Sequence, residues 1–159
     1  MKINIQSIFI SSGHDFKGRH GMEPLNYGMQ SVEQIECNAG KGIVGDRYYD
    51  FEENYKGQIT FLSREVIDSI VKNLKITDLD HSLFRRNVII SGLDLNDLIG
   101  KNFKIGNTAL FGVEECTPCQ WMDRAIAPGT LKLMVGCGGL RCRILESGVI
   151  KCGETRIVY

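Results

Sequence analysis

The sequence has no excess of charge of either sign. Its 159 residues include 19 Lys and Arg against 19 Asp and Glu, so the formal net charge at neutral pH is zero. A protein that binds nucleic acid or an anionic membrane through bulk charge is usually strongly basic. The balance argues against both of these partners, but it is compatible with a local basic pocket for a phosphorylated small molecule.

Long apolar runs are missing as well. No stretch approaches the roughly 18 apolar residues of a membrane span. Residues 1–6 alternate in polarity like a strand and lack the apolar core of a signal peptide. We therefore expect a cytoplasmic protein without a membrane partner. In that compartment the six cysteines are expected to be free, metal-binding or catalytic rather than paired in disulfides.

Internal repeats, linkers and low-complexity segments are also absent, and the length fits one domain over residues 1–159. Apolar residues recur at helical spacing most clearly in residues 66–74, with Ser63 as a plausible N-cap. Elsewhere the pattern predicts short strands and glycine turns, including a hairpin with Gly106-Asn107 at its tip. We expect a mainly β (α+β) fold, a β-barrel with a few short helices, the clearest near residues 63–75. Strands are predicted at residues 3–10, 31–37, 58–62, 88–91, 108–113, 140–145, 149–152 and 156–158.

The segment Cys116-Thr117-Pro118-Cys119 follows the strand predicted at residues 108–113. Pro118 lacks a backbone donor and fixes its own φ, so the thiol of Cys119 follows a stiffened turn. Loops at the ends of rigid elements commonly carry reactive groups. Cys119 is therefore the predicted reactive residue.

Three functions are possible for these thiols. Together with Cys137 and Cys142 they resemble a four-thiolate zinc site, although the second pair is separated by four residues where two are usual. A thioredoxin-like redox pair Cys116–Cys119 would need the motif to open a helix in a βαβ unit, and the sequence shows no parallel βαβ pattern. The third possibility is one essential thiolate, Cys119, which ligates a soft metal or carries a persulfide. Cys137, in a glycine loop, is a candidate resolving thiol.

Three basic segments could surround an anionic cofactor. Residues 11–21 combine three glycines with Lys17, as in an anion-binding loop. A glycine-rich turn leads to Asp46-Arg47, and Arg85-Arg86-Asn87 precedes a predicted strand. Each segment is equally compatible with solvated charges or turn chemistry, so spacing alone does not assign them a function.

In their order and spacing these motifs resemble the MOSC domain family, named for the C-terminal domain of molybdenum cofactor sulfurase. The resemblance covers nearly the whole chain. It implies a barrel-like domain in which Cys119 occupies the position of the family cysteine, which ligates molybdenum or carries sulfur. Pro118 departs from the small polar residue that often precedes this cysteine in eukaryotic reductases. The resemblance rests on residues 45–48, 84–92, 98–105, 116–119, 138–145 and 148–150.

The resemblance also implies a function. Members related to the amidoxime-reducing proteins bind a molybdopterin-type cofactor and reduce N-hydroxylated compounds, so we expect such a reductase with Cys119 as the metal ligand. The alternatives are a carrier with a persulfide on Cys119 for cofactor sulfuration, and a zinc-stapled binding module. The candidate cofactor-binding residues are Arg47, Arg85, Asn87, Arg86, Asp46 and Lys17.

The expected cofactor is a molybdopterin-type molybdenum cofactor, tungsten being possible, and no pyridoxal phosphate is expected. The substrate is expected to be a small molecule. The sequence has no flavin, haem or iron–sulfur signature, so a reductase of this kind would take its electrons from a partner protein. A sulfur carrier would instead exchange sulfur with a donor or acceptor protein.

Overall fold

A computed structural model describes all 159 residues. Three α-helices are present: α1 Arg64–Leu74, α2 Trp121–Ala125 and α3 Thr130–Met134. Two short 3₁₀ helices span His81–Phe84 and Leu95–Leu98. No helix is both long enough and apolar enough to span a membrane. The eleven strands are β1 Lys2–Ile10, β2 Gln30–Val32, β3 Gln34–Asn38, β4 Gly42–Ile43, β5 Ile59–Ser63, β6 Val88–Ser91, β7 Asn102–Ile105, β8 Thr108–Glu115, β9 Leu140–Glu146, β10 Gly148–Lys151 and β11 Gly153–Val158.

Seven of the strands close into a barrel. They are hydrogen-bonded in the order β11-β7-β8-β9-β5-β6-β1, and β1 pairs back onto β11. Strand β2 extends the sheet beside β1, while β10, β3 and β4 form a separate small sheet. Closure pairs the strand edges that an open sheet would leave exposed. The predicted mainly β barrel with a few short helices is confirmed.

One pair of barrel strands is parallel. Strand β5 runs alongside β6, with Phe61 opposite Val88 and Leu62 opposite Ile89, and the connection between them contains α1. The structure therefore contains a parallel βαβ unit, although the sequence showed no such pattern. All five residues of β5 are buried, because the helical layer covers the outer face of this strand while the core covers its inner face.

Two apolar clusters hold the fold together. Twenty buried residues, among them Ile5 and Phe61, fill the barrel interior. A second cluster of eight joins the outer face of the parallel pair to the helices, and it includes Leu62, Ile67 and Met122. Since Met122 lies in α2, this second cluster fixes the start of α2 against the barrel wall.

Local signals in the sequence predicted several elements correctly. Ser63 is the N-cap of α1, with its Oγ accepting a hydrogen bond from the backbone N–H of Glu65 at 3.2 Å. Gly106-Asn107 joins β7 to β8 as predicted. The strand predicted at residues 31–37 is instead divided between β2 and β3. Helix α2, which begins two residues after Cys119, was not predicted.

Candidate functional site

A cavity of about 450 Å³ lies among the loop after β1, the segment after β4, the residues just before β6 and the stretch between β8 and α2. Its volume falls within the range of about 300–1,000 Å³ that is usual for small-molecule sites. It brings together five residues predicted from the sequence: Lys17, Arg47, Arg85, Arg86 and Cys119. These residues come from four distant parts of the chain, so only the fold makes them neighbours.

Cys119 is an exposed free thiol on the wall of this cavity. Its backbone carbonyl accepts a hydrogen bond from the N–H of Met122 at 3.0 Å. Met122 is itself buried in the cluster beneath α2. The thiol therefore combines access to solvent with a backbone anchored to a rigid part of the structure.

Arg86 anchors the loop that carries the thiols. Its Nε donates to the carbonyl of Gly138 at 3.0 Å, its Nη1 to that of Phe84 at 2.9 Å, and its Nη2 to that of Cys116 at 3.1 Å. In addition, the N–H of Cys116 donates to the carbonyl of Gly139 at 2.8 Å. The guanidinium is buried and bonded to the protein itself, so Arg86 positions the cysteine loop rather than offering a free fork to a ligand.

The glycine pair behind this loop is required by close packing. A Cβ added to Gly138 would lie 2.4 Å from the carbonyl oxygen of Cys116. Gly139 has a φ of +110°, and a Cβ there would lie 2.2 Å from the carbonyl oxygen of Phe61. Side chains are therefore excluded at both positions, and the absence of Cβ atoms lets the cysteine loop lie directly on the barrel.

Asp46 and Asn87 lie under the cavity wall rather than lining the cavity. The Oδ1 of Asp46 accepts from the backbone N–H of Ser11 at 3.0 Å and from Arg47 at 3.2 Å. Asn87 accepts from the N–H and the hydroxyl of Thr60 and donates to Asp46 at 3.4 Å. Both side chains are buried. The structure thus makes these two predicted residues a supporting layer that orients Arg47.

Arg47 and Arg85 line the cavity but are already engaged with protein acceptors. Arg47 pairs with Asp46 and donates to the carbonyl of Arg85 at 3.3 Å. Arg85 pairs with Asp15 at 2.7 Å and donates to the carbonyl of Gly13 at 3.1 Å. Burial is the main cause that lowers the pKa of Arg85 from its ordinary value, and the positive charge of the nearby Arg47 lowers it further. The two arginines supply positive charge to the cavity, with most of their N–H donors in use.

The backbone of Arg85 has an unusual conformation. Arg85 has a φ of 56° and caps the 3₁₀ helix His81–Phe84, donating its N–H to the carbonyl of Ser82 at 3.0 Å. Non-glycine residues seldom occupy this left-handed region. Together with the Asp15 pair, this cap directs the guanidinium toward the cavity.

Among the cations of the cavity, Lys17 and Arg141 make the fewest hydrogen bonds and ion pairs with the rest of the protein. The ammonium of Lys17 lies 3.8 Å from the centroid of the Phe51 ring. Arg141 is a cavity residue that sequence reasoning missed, and its nearest carboxylate oxygen, on Glu114, is 3.9 Å away. Although burial opposes its charge, the Cys116 thiol and nearby acidic groups hold the pKa of Arg141 above its ordinary value. Cys142 next to it faces the barrel core, so strand alternation could have indicated that Arg141 points outward.

An aromatic wall faces the cations. The rings of Tyr48 and Tyr55 stack with centroids 5.0 Å apart, and His14 meets Tyr48 edge-on at 4.9 Å. Burial is the main cause that raises the pKa of Tyr55, and the neighbouring Tyr48 hydroxyl raises it further. Burial, followed by Arg47, lowers the pKa of His14. This wall, which was not predicted, can pack against a flat ring.

The alternative of a four-thiolate zinc site is wrong. No group of three or more His, Cys, Asp and Glu side chains lies close enough to hold a metal ion. Cys142 is fully buried in the barrel core, and Cys137 lines a different cavity, where its Sγ lies 3.3 Å from the carbonyl oxygen of Leu133. Of the four thiols in the predicted site, only Cys116 and Cys119 line the site cavity.

Comparisons with known proteins agree with this architecture. The sequence model of the MOSC domain family matches residues 19–155. The YuaD protein from Bacillus subtilis superimposes with a TM-score of 0.74 at 19% identity, covering 99% of this chain and 94% of that one. YiiM from Geobacillus stearothermophilus gives 0.69 at 16% identity, covering 98% and 74%. YiiM from Escherichia coli gives 0.67 at 14% identity, covering 100% and 70%. No curated protein matches the chain.

Proposed function

The chain belongs to the MOSC domain family, and we propose that it binds a molybdopterin-type molybdenum cofactor with Cys119 as a thiolate ligand of the metal. One observation carries the proposal: an exposed thiol shares a single cavity with the cationic side chains of Lys17, Arg47, Arg85 and Arg141. A soft metal favours thiolate sulfur, and a terminal phosphate favours cations. The cavity combines both requirements of such a cofactor.

The side chains of the cavity fit this group. Lys17 and Arg141 have donors available for a phosphate, whereas Arg47 and Arg85 contribute mainly charge because their N–H groups already bond to Asp46, Asp15 and carbonyls. The stacked tyrosine wall offers a flat apolar surface for a ring system. A tungsten form of the cofactor would carry the same phosphate and favour the same thiolate sulfur, so the site suits either metal.

We propose further that the loaded protein reduces N-hydroxylated or related small molecules with electrons from a partner protein. When bound, the cofactor supplies the two-electron removal of oxygen from the substrate. The protein holds the Cys119 sulfur in place through the Arg86 anchor and the buried Met122. His14, which stays neutral near pH 7 because burial and Arg47 lower its pKa, can relay a proton at a ring nitrogen.

The first experiment is elemental analysis with pterin detection on protein purified from a host that makes the cofactor. Wild type should carry stoichiometric molybdenum or tungsten with pterin, and Cys119→Ser should lose the metal. Cys152→Ser is the matched control, because that thiol lies outside the cavity. A wild type without metal and pterin, or a Cys119→Ser variant with undiminished metal, would contradict the proposal.

Turnover distinguishes a reductase from a protein that only binds the cofactor. The loaded wild type is mixed with an aromatic amidoxime and a reduced viologen, and the amidine product is measured. Product should form with the wild type and not with Cys119→Ser. If the loaded protein forms no product with any N-hydroxylated substrate, the proposed reductase activity is contradicted, while the proposal of cofactor binding stands.

A second candidate function is sulfur transfer through a persulfide on Cys119. The exposure of this thiol, flanked by the exposed residues Thr117 and Gln120, favours access by a donor or acceptor protein. Cofactor-free protein treated with inorganic polysulfide should then gain the mass of one sulfur atom on Cys119. If Cys119→Ser gains the same mass, the sulfur is carried elsewhere and this candidate fails.

A further inference from the structure

Cys116 is a second thiol in the site cavity that the proposed function does not use. It lines the same cavity as Cys119 three residues earlier, and both sulfurs are free. The two thiols differ in exposure, because Cys119 is exposed while Cys116 is buried. Such a pair combines one sulfur accessible to a reagent from solvent with one shielded sulfur close by in the chain.

Arg141 lines the same cavity as the buried thiol and brings a positive charge to it. The thiolate is the attacking species in thiol–disulfide exchange, and a neighbouring guanidinium stabilises that charge. The cavity therefore places a cation beside the two sulfurs that would take part in such an exchange.

The short peptide between the thiols is anchored at both ends. The carbonyl of Cys116 accepts from Arg86 at 3.1 Å, and the carbonyl of Cys119 accepts from the N–H of Met122 at 3.0 Å. Pro118 further restricts the backbone between them. Helix α2 begins two residues after Cys119 and was not visible in the sequence; it follows β8 and lies outside the parallel β5–α1–β6 unit.

We propose that Cys116 and Cys119 form a dithiol–disulfide pair whose oxidant is a low-molecular-weight disulfide such as oxidised glutathione. The Cys119 thiolate attacks one sulfur of the small disulfide, breaking its S–S bond and releasing one thiolate. The Cys116 thiolate then attacks the Cys119 sulfur and releases the second thiolate. Two protein thiols are oxidised, one small disulfide is reduced to two thiols, and the two protons pass to the released thiolates.

The disulfide controls whether the site sulfur is available. While it is formed, Cys119 can neither ligate a metal nor carry a persulfide, and a reducing dithiol restores it. Both steps take place on the cofactor-free chain. The pair can therefore be present whether or not the cofactor proposal holds, and a test on cofactor-free protein keeps the two questions separate.

The test uses reduced, cofactor-free, full-length protein treated with oxidised glutathione, quenched with acid, alkylated and examined by mass spectrometry. Wild type should lose two hydrogens, retain no glutathione, and yield a peptide containing an internal Cys116–Cys119 bond. Cys116→Ser should stop at one glutathione on Cys119. Wild type that keeps glutathione on Cys119 as firmly as Cys116→Ser, or that pairs Cys119 with Cys137, would overturn the proposal.

Three further variants make the test specific. Cys152→Ser removes a thiol outside the cavity and should behave as wild type. Arg141→Gln removes one cation from the cavity that both thiols line, so it should convert the mixed disulfide several-fold more slowly. Arg141→Lys keeps that charge and should recover most of the rate. If Cys116→Ser fails to fold, the peptide map of the wild type decides alone.

Discussion

Replacing Arg86 with methionine tests whether this side chain holds the cysteine loop in place. Arg86 is 7% exposed and has no carboxylate partner; its three hydrogen bonds go to the backbone carbonyls of Gly138, Phe84 and Cys116. Methionine preserves the apolar stem and removes all three donors. The three carbonyls would then lack the partner that satisfies them in the folded protein.

The size of the effect follows from the three bonds. A hydrogen bond to a charged group contributes about 1.5–3 kcal/mol. The total is smaller than the sum because the bonds share one donor group and because methionine avoids the desolvation of a buried guanidinium. We expect Arg86→Met to lower the free energy of unfolding by about 3–4 kcal/mol, a large part of a typical 5–15 kcal/mol. For a urea slope of about 2 kcal/mol per M, the midpoint would fall by roughly 1.5–2 M.

Urea unfolding followed by Trp121 fluorescence measures this shift. Arg124→Met is the matched control, because its guanidinium is 48% exposed and pairs with the exposed Glu23; such a pair contributes about 0–1 kcal/mol. The rate at which Cys119 is alkylated in folded Arg86→Met reports on the loop itself. A midpoint equal to that of Arg124→Met, with unchanged alkylation, would refute the anchoring role.

Two other perturbations address the same site. Gly138→Ala should lower stability by about 1–3 kcal/mol through overpacking, because the new Cβ lies 2.4 Å from the Cys116 carbonyl oxygen. The same displacement should alter the alkylation rate of Cys119. Gly136→Ala is the control: its Cβ meets nothing within 4 Å at a φ of +81°, so it should change stability alone. Equal alkylation rates in the two variants would contradict this. Burial, then Arg47 and Lys17, lowers the pKa of His14 below its usual 6.5, so the unfolded state takes up its proton first. Stability should therefore fall as the pH drops through about 6.5 toward the folded-state pKa. Urea midpoints across this range should fall less steeply for His14→Gln, and parallel curves would exclude the effect.

Much of the fold followed from local patterns. Alternating apolar residues in β1, the Ser63 cap with its amphipathic helix, and the Gly106-Asn107 hairpin each depend on residues close in sequence, where periodicity and capping act directly. The parallel pairing of β5 with β6 was not predicted. It depends on where a long connection returns, and helix α1 can occupy such a connection without marking its destination in the sequence.

The site divides in the same way. The sequence by itself singled out Cys119 and the cations Lys17, Arg47, Arg85 and Arg86, because residue chemistry and the family motifs are visible without coordinates. The tertiary structure placed these five in one cavity. Asp46 and Asn87 lie beneath the cavity wall instead, where their side chains hydrogen-bond to other parts of the protein. It also added the residues Arg141, His14, Tyr48 and Tyr55 to the cavity.

The cysteines show why only the fold could decide. The spacing of Cys116, Cys119, Cys137 and Cys142 suggested one cluster, but two helices and a strand boundary lie between the pairs. Strand alternation turns Cys142 into the barrel core, and the end of α3 leads Cys137 to another cavity. Sequence distance fixes the reach of the chain, whereas the direction of each side chain depends on which face of its element is buried. The sequence therefore determined which side chains could carry chemistry, and barrel closure decided which of them lie together.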